Sequence, residues 1–306
     1  WDLLDLTEYV KPKEYYVFLY HLSLIRENIL NWYPFKKGCR ILEVGSGCGA
    51  ITGMLCRKAA AVTSVELSRQ RGEINYLRNK DLENLEIIVG NLNDLKPAAD
   101  YDYIILNGVL EYACSFTEGD TPFQSFLEHI RKYLKPKGKL LLAIENRLGI
   151  KYFAGAPEDH TDRCFLGIRQ YPEENSVRTF SKNELTELLR KSGFRYQRFY
   201  YPYPDYKFPS EIYTDDNINN GNYGRTGVYF EKMNRRLFHE KAMTDSLAKE
   251  KVLDKFANSF LVEAGAASPE KEHVLYAKLN TSRRREFAVG TVIRTDARGR
   301  RTVGKY

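Results

Sequence analysis

Strand-like and helix-period segments alternate through the first half of this 306-residue chain. Alternation of that kind restricts it to a parallel sheet flanked by helices. The strand patterns fall at Arg40–Val44, Ala61–Glu66, Leu85–Val89, Tyr101–Leu106 and Lys139–Ile144. A parallel strand is covered on both faces and therefore reads as a continuous apolar run, as IILNG and LLLAI do. Helical periodicity occupies Ala50–Lys58, a segment from the capping residue Ser68 to about Lys80, and Phe123–Leu134, which stops at Lys135-Pro136-Lys137-Gly138. The expected fold is a doubly wound α/β domain with a mostly parallel sheet.

The flanking segments read differently. An amphipathic stripe from Tyr16 to Trp32 makes residues 1–36 a helical cover. Residues 146–180 are rich in Gly, Pro and charge and too long for an ordinary connection, so they read as a lid or substrate loop. Ser181 caps a helix ending at Gly193, and Phe194–Tyr201 is strand-like. The Tyr/Pro segment within a second insertion, 200–225, reads either as a stacking platform for an acceptor or as a rigid arm. Val228–Glu231 is the expected last strand, 232–255 a helical connector, and 256–306 a β-rich appendage starting a further domain.

Composition excludes several classes. Hydrophobic residues at 43% and charged ones at 28% allow a sizeable core, which rules out a disordered or fibrous chain. The longest apolar runs fall far short of the roughly 20 residues of a membrane span. Five cysteines without a CxxC pair disfavour a disulfide framework or zinc site, point to a reducing cytoplasm, and give no metal-ligand pattern. The net charge of +7 is concentrated at the end: seven Arg and one Lys against Glu286 and Asp296 give residues 281–306 a net of +6. Aromatics are nearly absent among those arginines, so a nucleic-acid stacking surface is not expected.

The most informative stretch is Ile41-Leu-Glu43-Val-Gly45-Ser46-Gly47-Cys48-Gly49-Ala50. A strand enters a turn whose glycines let the backbone approach a ligand, and a helix leaves it. Glu43 would repel a pyrophosphate and attract a cation. Glu66, 19 residues past Gly47 at the end of the second strand, suits a ribose diol. Together they fit a nucleoside bearing a positive, phosphate-free arm.

These segments resemble, in order, the motifs of class I S-adenosylmethionine (SAM)-dependent methyltransferases. The glycine turn is similar to their E-x-G-x-G-x-G motif. Val62–Ser68 resembles the second strand with its ribose-binding acid, and Val89–Leu95 the segment after the third. There Asn91 stands where an Asp usually holds the adenine amino group. Asp102–Tyr112 resembles the fourth strand and its turn, and Lys135–Leu141 the turn into the fifth. The resemblance covers about residues 36–231 and implies a seven-stranded sheet within a domain of residues 37–231. It implies SAM as cofactor and S-adenosylhomocysteine (SAH) as product, held by Glu43, Gly45, Ser46, Gly47, Cys48, Gly49, Glu66, Leu67, Asn91, Leu92, Asn107 and Gly108.

Transfer to an oxygen acceptor needs alignment opposite the sulfur and a group to take the proton. Residues after the fourth and fifth strands are the candidates: Asn107–Tyr112, and an insertion offering Glu145, Asp159 or His160 as base. Asn107-Gly-Val-Leu replaces the Asn-Pro-Pro-Tyr signature of base and glutamine N-methylation. The chain thus resembles the branch acting on small molecules, lipids and sugars. Its insertions are similar to those of bacterial methyltransferases linked to cell-surface glycan assembly. The expected partner is a small-molecule or saccharide acceptor, with O-directed transfer. A non-catalytic SAM-binding scaffold, and an RNA methyltransferase using the basic tail, are the alternatives.

Overall fold

The computed structural model describes residues 12–172, 177–221, 237–267, 273–281, 287–296 and 298–305. Helix α1 (Pro12–Leu22) and a 3-10 turn (Leu24–Ile29) precede β1 (Arg40–Val44). The repeating part follows: α2 (Thr52–Lys58), β2 (Ala61–Glu66), α3 (Arg69–Asn79), β3 (Leu85–Val89), β4 (Tyr101–Asn107), α4 (Pro122–Arg131) and β5 (Leu134–Glu145). Then come α5 (Ile150–Phe153), α6 (Lys182–Lys191), β6 (Tyr196–Tyr203), β7 (Glu211–Thr214), α7 (Glu240–Lys249) and α8 (Leu253–Phe256). Strands β8 (Ser259–Gly265), β9 (His273–Asn280), β10 (Val289–Thr295) and β11 (Arg301–Lys305) complete the described chain.

The eleven strands of the described residues form one sheet, ordered β11-β10-β9-β7-β6-β8-β5-β4-β1-β2-β3. The half from β3 to β5 is parallel, as expected. Successive residues of its strands serve opposite faces, which is why those strands lack polar alternation. Leu42, Val44, Leu140, Leu142 and Ile144 pack under α4 and α6 with Phe126, Ile130, Leu185 and Leu189. Ile41, Leu141 and Ala143 pack on the other face with Met54, Leu55 and Trp32. Leu142 is fully buried, so truncating it to Ala would cost about 2–5 kcal/mol.

The expectation of a seven-stranded sheet with a β-rich appendage is corrected here. Strand β8, from the segment read as the start of another domain, lies antiparallel between β5 and β6. Its buried Glu263 fixes it there: the carboxylate accepts from Tyr33 Oη at 2.5 Å and pairs with Lys139 Nζ at 3.2 Å. Strands β9 to β11 then extend the same sheet beyond β7. Val228–Glu231, the expected last strand, lies outside the described residues, as do Arg283, Arg284 and Arg285 of the arginine cluster. Helix α4 ends at Arg131, and Lys135–Gly138 belongs to a β5 that begins earlier than its apolar run. Among the described residues, no helix is long and apolar enough to cross a membrane.

Candidate functional site

The strand order reverses between β1 and β4, and an open α/β sheet binds ligands beyond its strand ends at such a point. A cavity of about 570 Å³ lies there, within the roughly 300–1,000 Å³ usual for small-molecule sites. The turns after β1, β2, β3 and β4 wall it, and Tyr20, His21 and Arg26 roof it from the N-terminal helical segment. That roof is tied down by Arg78 of α3, which donates to the His21 and Leu22 carbonyls at 2.8 and 3.0 Å.

Every residue expected to hold the cofactor lines this cavity except Gly49. Gly49 instead lets α3 approach: at its φ of +75°, an added Cβ would lie 2.2 Å from Asn75 Oδ1. Gly47, at φ +55°, faces open space. The turn's amides are largely committed. Gly45 and Ser46 donate to the Val65 carbonyl at 2.8 and 3.3 Å, and Gly49 to the Ser46 carbonyl at 3.0 Å. The Gly47 amide donates to Glu66 Oε2 at 2.7 Å, and the Ser68 amide to Glu66 Oε1 at 3.0 Å. A pyrophosphate cradle needs such amides free, so this turn is not one.

Glu43 is buried at 2% exposure. Its Oε2 accepts from Thr52 Oγ1 at 2.7 Å and Ser64 Oγ at 2.6 Å, whereas Oε1 has no hydrogen-bond partner. Burial pushes this carboxyl up to about 7 despite those two hydroxyls, and Glu66 adds to the rise. An orphaned, buried carboxylate oxygen on a cavity wall suits a cationic group. Asn107 likewise lines the cavity with an unpartnered Oδ1. Asn91 is also on the wall, with its Oδ1 accepting the Asn93 amide at 3.0 Å in a tight turn.

Behind the wall at Gly108 and Tyr112 the two insertions meet. Tyr112 Oη lies 2.7 Å from His160 Nδ1. His160 Nε2 lies 3.5 Å from Glu145 Oε2 and 3.8 Å from Glu111 Oε1. Burial alone would lower the His160 pKa, but the negative charges of Glu145 and Glu111 raise it to about 9. Glu145 Oε1 is 3.1 Å from Lys207 Nζ. Of the three expected bases, Glu145 and His160 are thus brought together. Asp159 is committed elsewhere: Lys151 and Lys207 pair with it at 2.7 and 2.5 Å, and Tyr152 Oη donates to it. The Tyr/Pro segment packs inward, with Tyr200, Tyr201, Tyr206 and Tyr213 all buried, so it offers no stacking platform.

Residues 42–140 match the family described as a methyltransferase domain. The malonyl-[acyl-carrier protein] O-methyltransferase of Priestia megaterium is 33% identical over 119 residues, 38% of this chain and 40% of that protein. The ubiquinone biosynthesis O-methyltransferase of Pelagibacter ubique is 23% identical over 133 residues, 41% of this chain and 52% of that one. The alignments thus span about half or less of these relatives' length. Among solved structures, phosphoethanolamine N-methyltransferase 1 of Haemonchus contortus, in complex with phosphoethanolamine and SAH, is 14% identical. It aligns over 86% of this chain and 47% of that one, with a TM-score of 0.47. Residues 42–140 thus match a methyltransferase domain, and the relatives that align with this part of the chain are named as methyltransferases.

Sequence reasoning missed Lys207 as a site residue and the roof residues Tyr20, His21 and Arg26. Lys207 could have been flagged as a lone cation in a Tyr/Pro run. The roof carries no motif, because its place depends on how α1 packs.

Proposed function

We propose that this chain transfers a methyl group from SAM to an oxygen of a small-molecule or saccharide acceptor. The observation that carries the cofactor half is the pairing of a spent glycine turn with the orphaned Oε1 of Glu43. The turn rejects phosphate, and the carboxylate favours a cationic amino-acid arm. When bound, SAM supplies a methyl group on a positively charged sulfur, open to in-line displacement. Glu43 and the Gly45–Cys48 turn would hold the amino-acid arm, Glu66 the ribose hydroxyls, and Leu67, Asn91 and Leu92 the adenine. Asn107 and Gly108 close the wall nearest the acceptor.

The acceptor would enter beside Tyr112, where the His160–Glu145–Glu111 cluster backs the wall. Oxygen as the target draws support from Asn107-Gly108, which lack the planar clamp of base N-methylation, and from two relatives named as O-methyltransferases. A saccharide acceptor tied to glycan assembly rests on the similarity of the insertions.

Calorimetry of the purified chain with SAH tests the first half. Binding near one molecule per chain is expected, and no binding of SAM or SAH would overturn the reading. Labelled SAM offered with pooled glycans, acyl carriers and phenolic acceptors tests the second. Label in an oxygen-linked product, either a base-stable ether or a base-labile ester, supports it, and label only on nitrogen overturns the O-directed assignment.

A further inference from the structure

We propose that Glu111, Glu145 and His160 form a binding site for one divalent transition-metal ion such as Zn²⁺ or Mn²⁺. Their nearest ligand atoms all lie within 4.8 Å of one another. His160 Nε2 stands 3.5 Å from Glu145 Oε2 and 3.8 Å from Glu111 Oε1, too far for good hydrogen bonds. Two ligands roughly 2.0–2.2 Å from one tetrahedral ion are about 3.4 Å apart, so the ligand atoms would close by up to about 1.4 Å around the ion.

The polar groups support this independently of the spacing. Glu111 is fully buried, and neither of its carboxylate oxygens has a hydrogen-bond partner. Among the described residues, His160 is the only oppositely charged group within 4 Å of it. His160 Nε2 is likewise unpartnered and turned to the same point. Native interiors rarely leave a carboxylate so unanswered, and a bound ion is one of the few remedies. The neighbouring lysines serve other acids: Lys151 pairs with Asp159, and Lys207 with Asp159 and the Oε1 of Glu145. Glu145 Oε2 is thereby left toward His160.

The second nitrogen of His160 is placed as metal-bound histidines require. Its Nδ1 lies 2.7 Å from Tyr112 Oη, and donating that hydrogen would present Nε2 as the lone-pair nitrogen. Two carboxylates and a neutral imidazole balance one divalent charge. Mixed oxygen and imidazole ligation favours Zn²⁺ or Mn²⁺ over Ca²⁺ or Mg²⁺. Glu111 lies 34 residues before Glu145 and His160 lies 15 after it, so no short ligand spacing betrays the set in the sequence.

The test uses the full chain stripped with EDTA, then titrated separately with ZnCl₂ and MnCl₂ by calorimetry and checked by elemental analysis. One tightly held ion per chain and a raised melting temperature are expected. Glu111→Gln and His160→Asn should each weaken binding at least tenfold, while Glu73→Gln, an exposed acid on α3, should not. Wild-type protein that takes up no stoichiometric ion, or variants that bind as the wild type does, would overturn the proposal. Should either variant fail to fold, Co²⁺ added to the stripped wild type decides. A visible absorption band removed by Zn²⁺ supports the site, and its absence sinks it. SAH calorimetry in EDTA, run alongside, tests the cofactor reading separately, since that cavity stands without the ion.

Discussion

Glu66 Oε2 accepts the Gly47 amide at 2.7 Å, so the acid ending β2 closes the turn that follows β1. The same carboxylate holds the Ser68 amide at the start of α3. Glu66→Ala would remove both acceptors beside the cavity. Because the freed amides can reach solvent there, stability should fall by only about 1–2 kcal/mol. SAH affinity should drop at least tenfold by calorimetry. Unchanged affinity would remove Glu66 from the cofactor's partners.

Glu43 gives a pH dependence whose sign is fixed. Its carboxyl is raised from 4.5 to about 7 by burial. Stability tied to the protonated form is therefore present below about 4.5 and is lost as pH rises through 7. Ligand-free Glu43→Gln should be more stable than the wild type at pH 8, by on the order of 1–3 kcal/mol, and no more stable at pH 4. A cationic ligand prefers the ionised form, so SAH affinity of the wild type should strengthen between pH 6 and 8 and then level. Glu43→Gln should bind weakly and lose that slope. Calorimetry across this range in buffers of different ionisation enthalpy would expose the proton released.

Gly47 and Gly49 should separate binding from stability. Both have positive φ, but a Cβ at Gly47 meets nothing within 4 Å whereas one at Gly49 strikes Asn75. Gly47→Ala should cost about 1 kcal/mol of backbone strain and weaken SAH binding sharply. Gly49→Ala should lower the urea midpoint further. The opposite ranking in both assays would mean the cofactor lies on the α3 side of the turn.

Glu263 tests whether β8 is integral to the sheet. Glu263→Ala strands Lys139 and Tyr33 in a nearly dry site, and breaking such a buried pair typically costs 3–5 kcal/mol. Ending the chain at Ala257 should leave material that fails to unfold cooperatively in urea. A cooperative, SAH-binding truncation would show that residues beyond 257 are dispensable.

The parallel half and the cofactor turn were legible because their information is local. Continuous apolar runs, a cap at Ser68 and glycines at positive φ each act within a few residues. Strand β8 was illegible for the opposite reason: its partners, β5 and β6, lie more than fifty residues away, and nothing in FLVEAG names them. The acidic cluster failed likewise, since Glu111, Glu145, His160 and Lys207 converge from four segments. Asp159 reads as a candidate base in the sequence, but Lys151 and Lys207 hold it.

The late arrival of β8 shapes how the polypeptide can be made. A ribosome releases β5 and β6 well before the strand that bridges them, so two hydrophobic ladders wait with open hydrogen-bonding groups for the plug. Emerging chains should be most vulnerable to chaperone capture or aggregation in that interval, and slow translation there would lengthen the exposure.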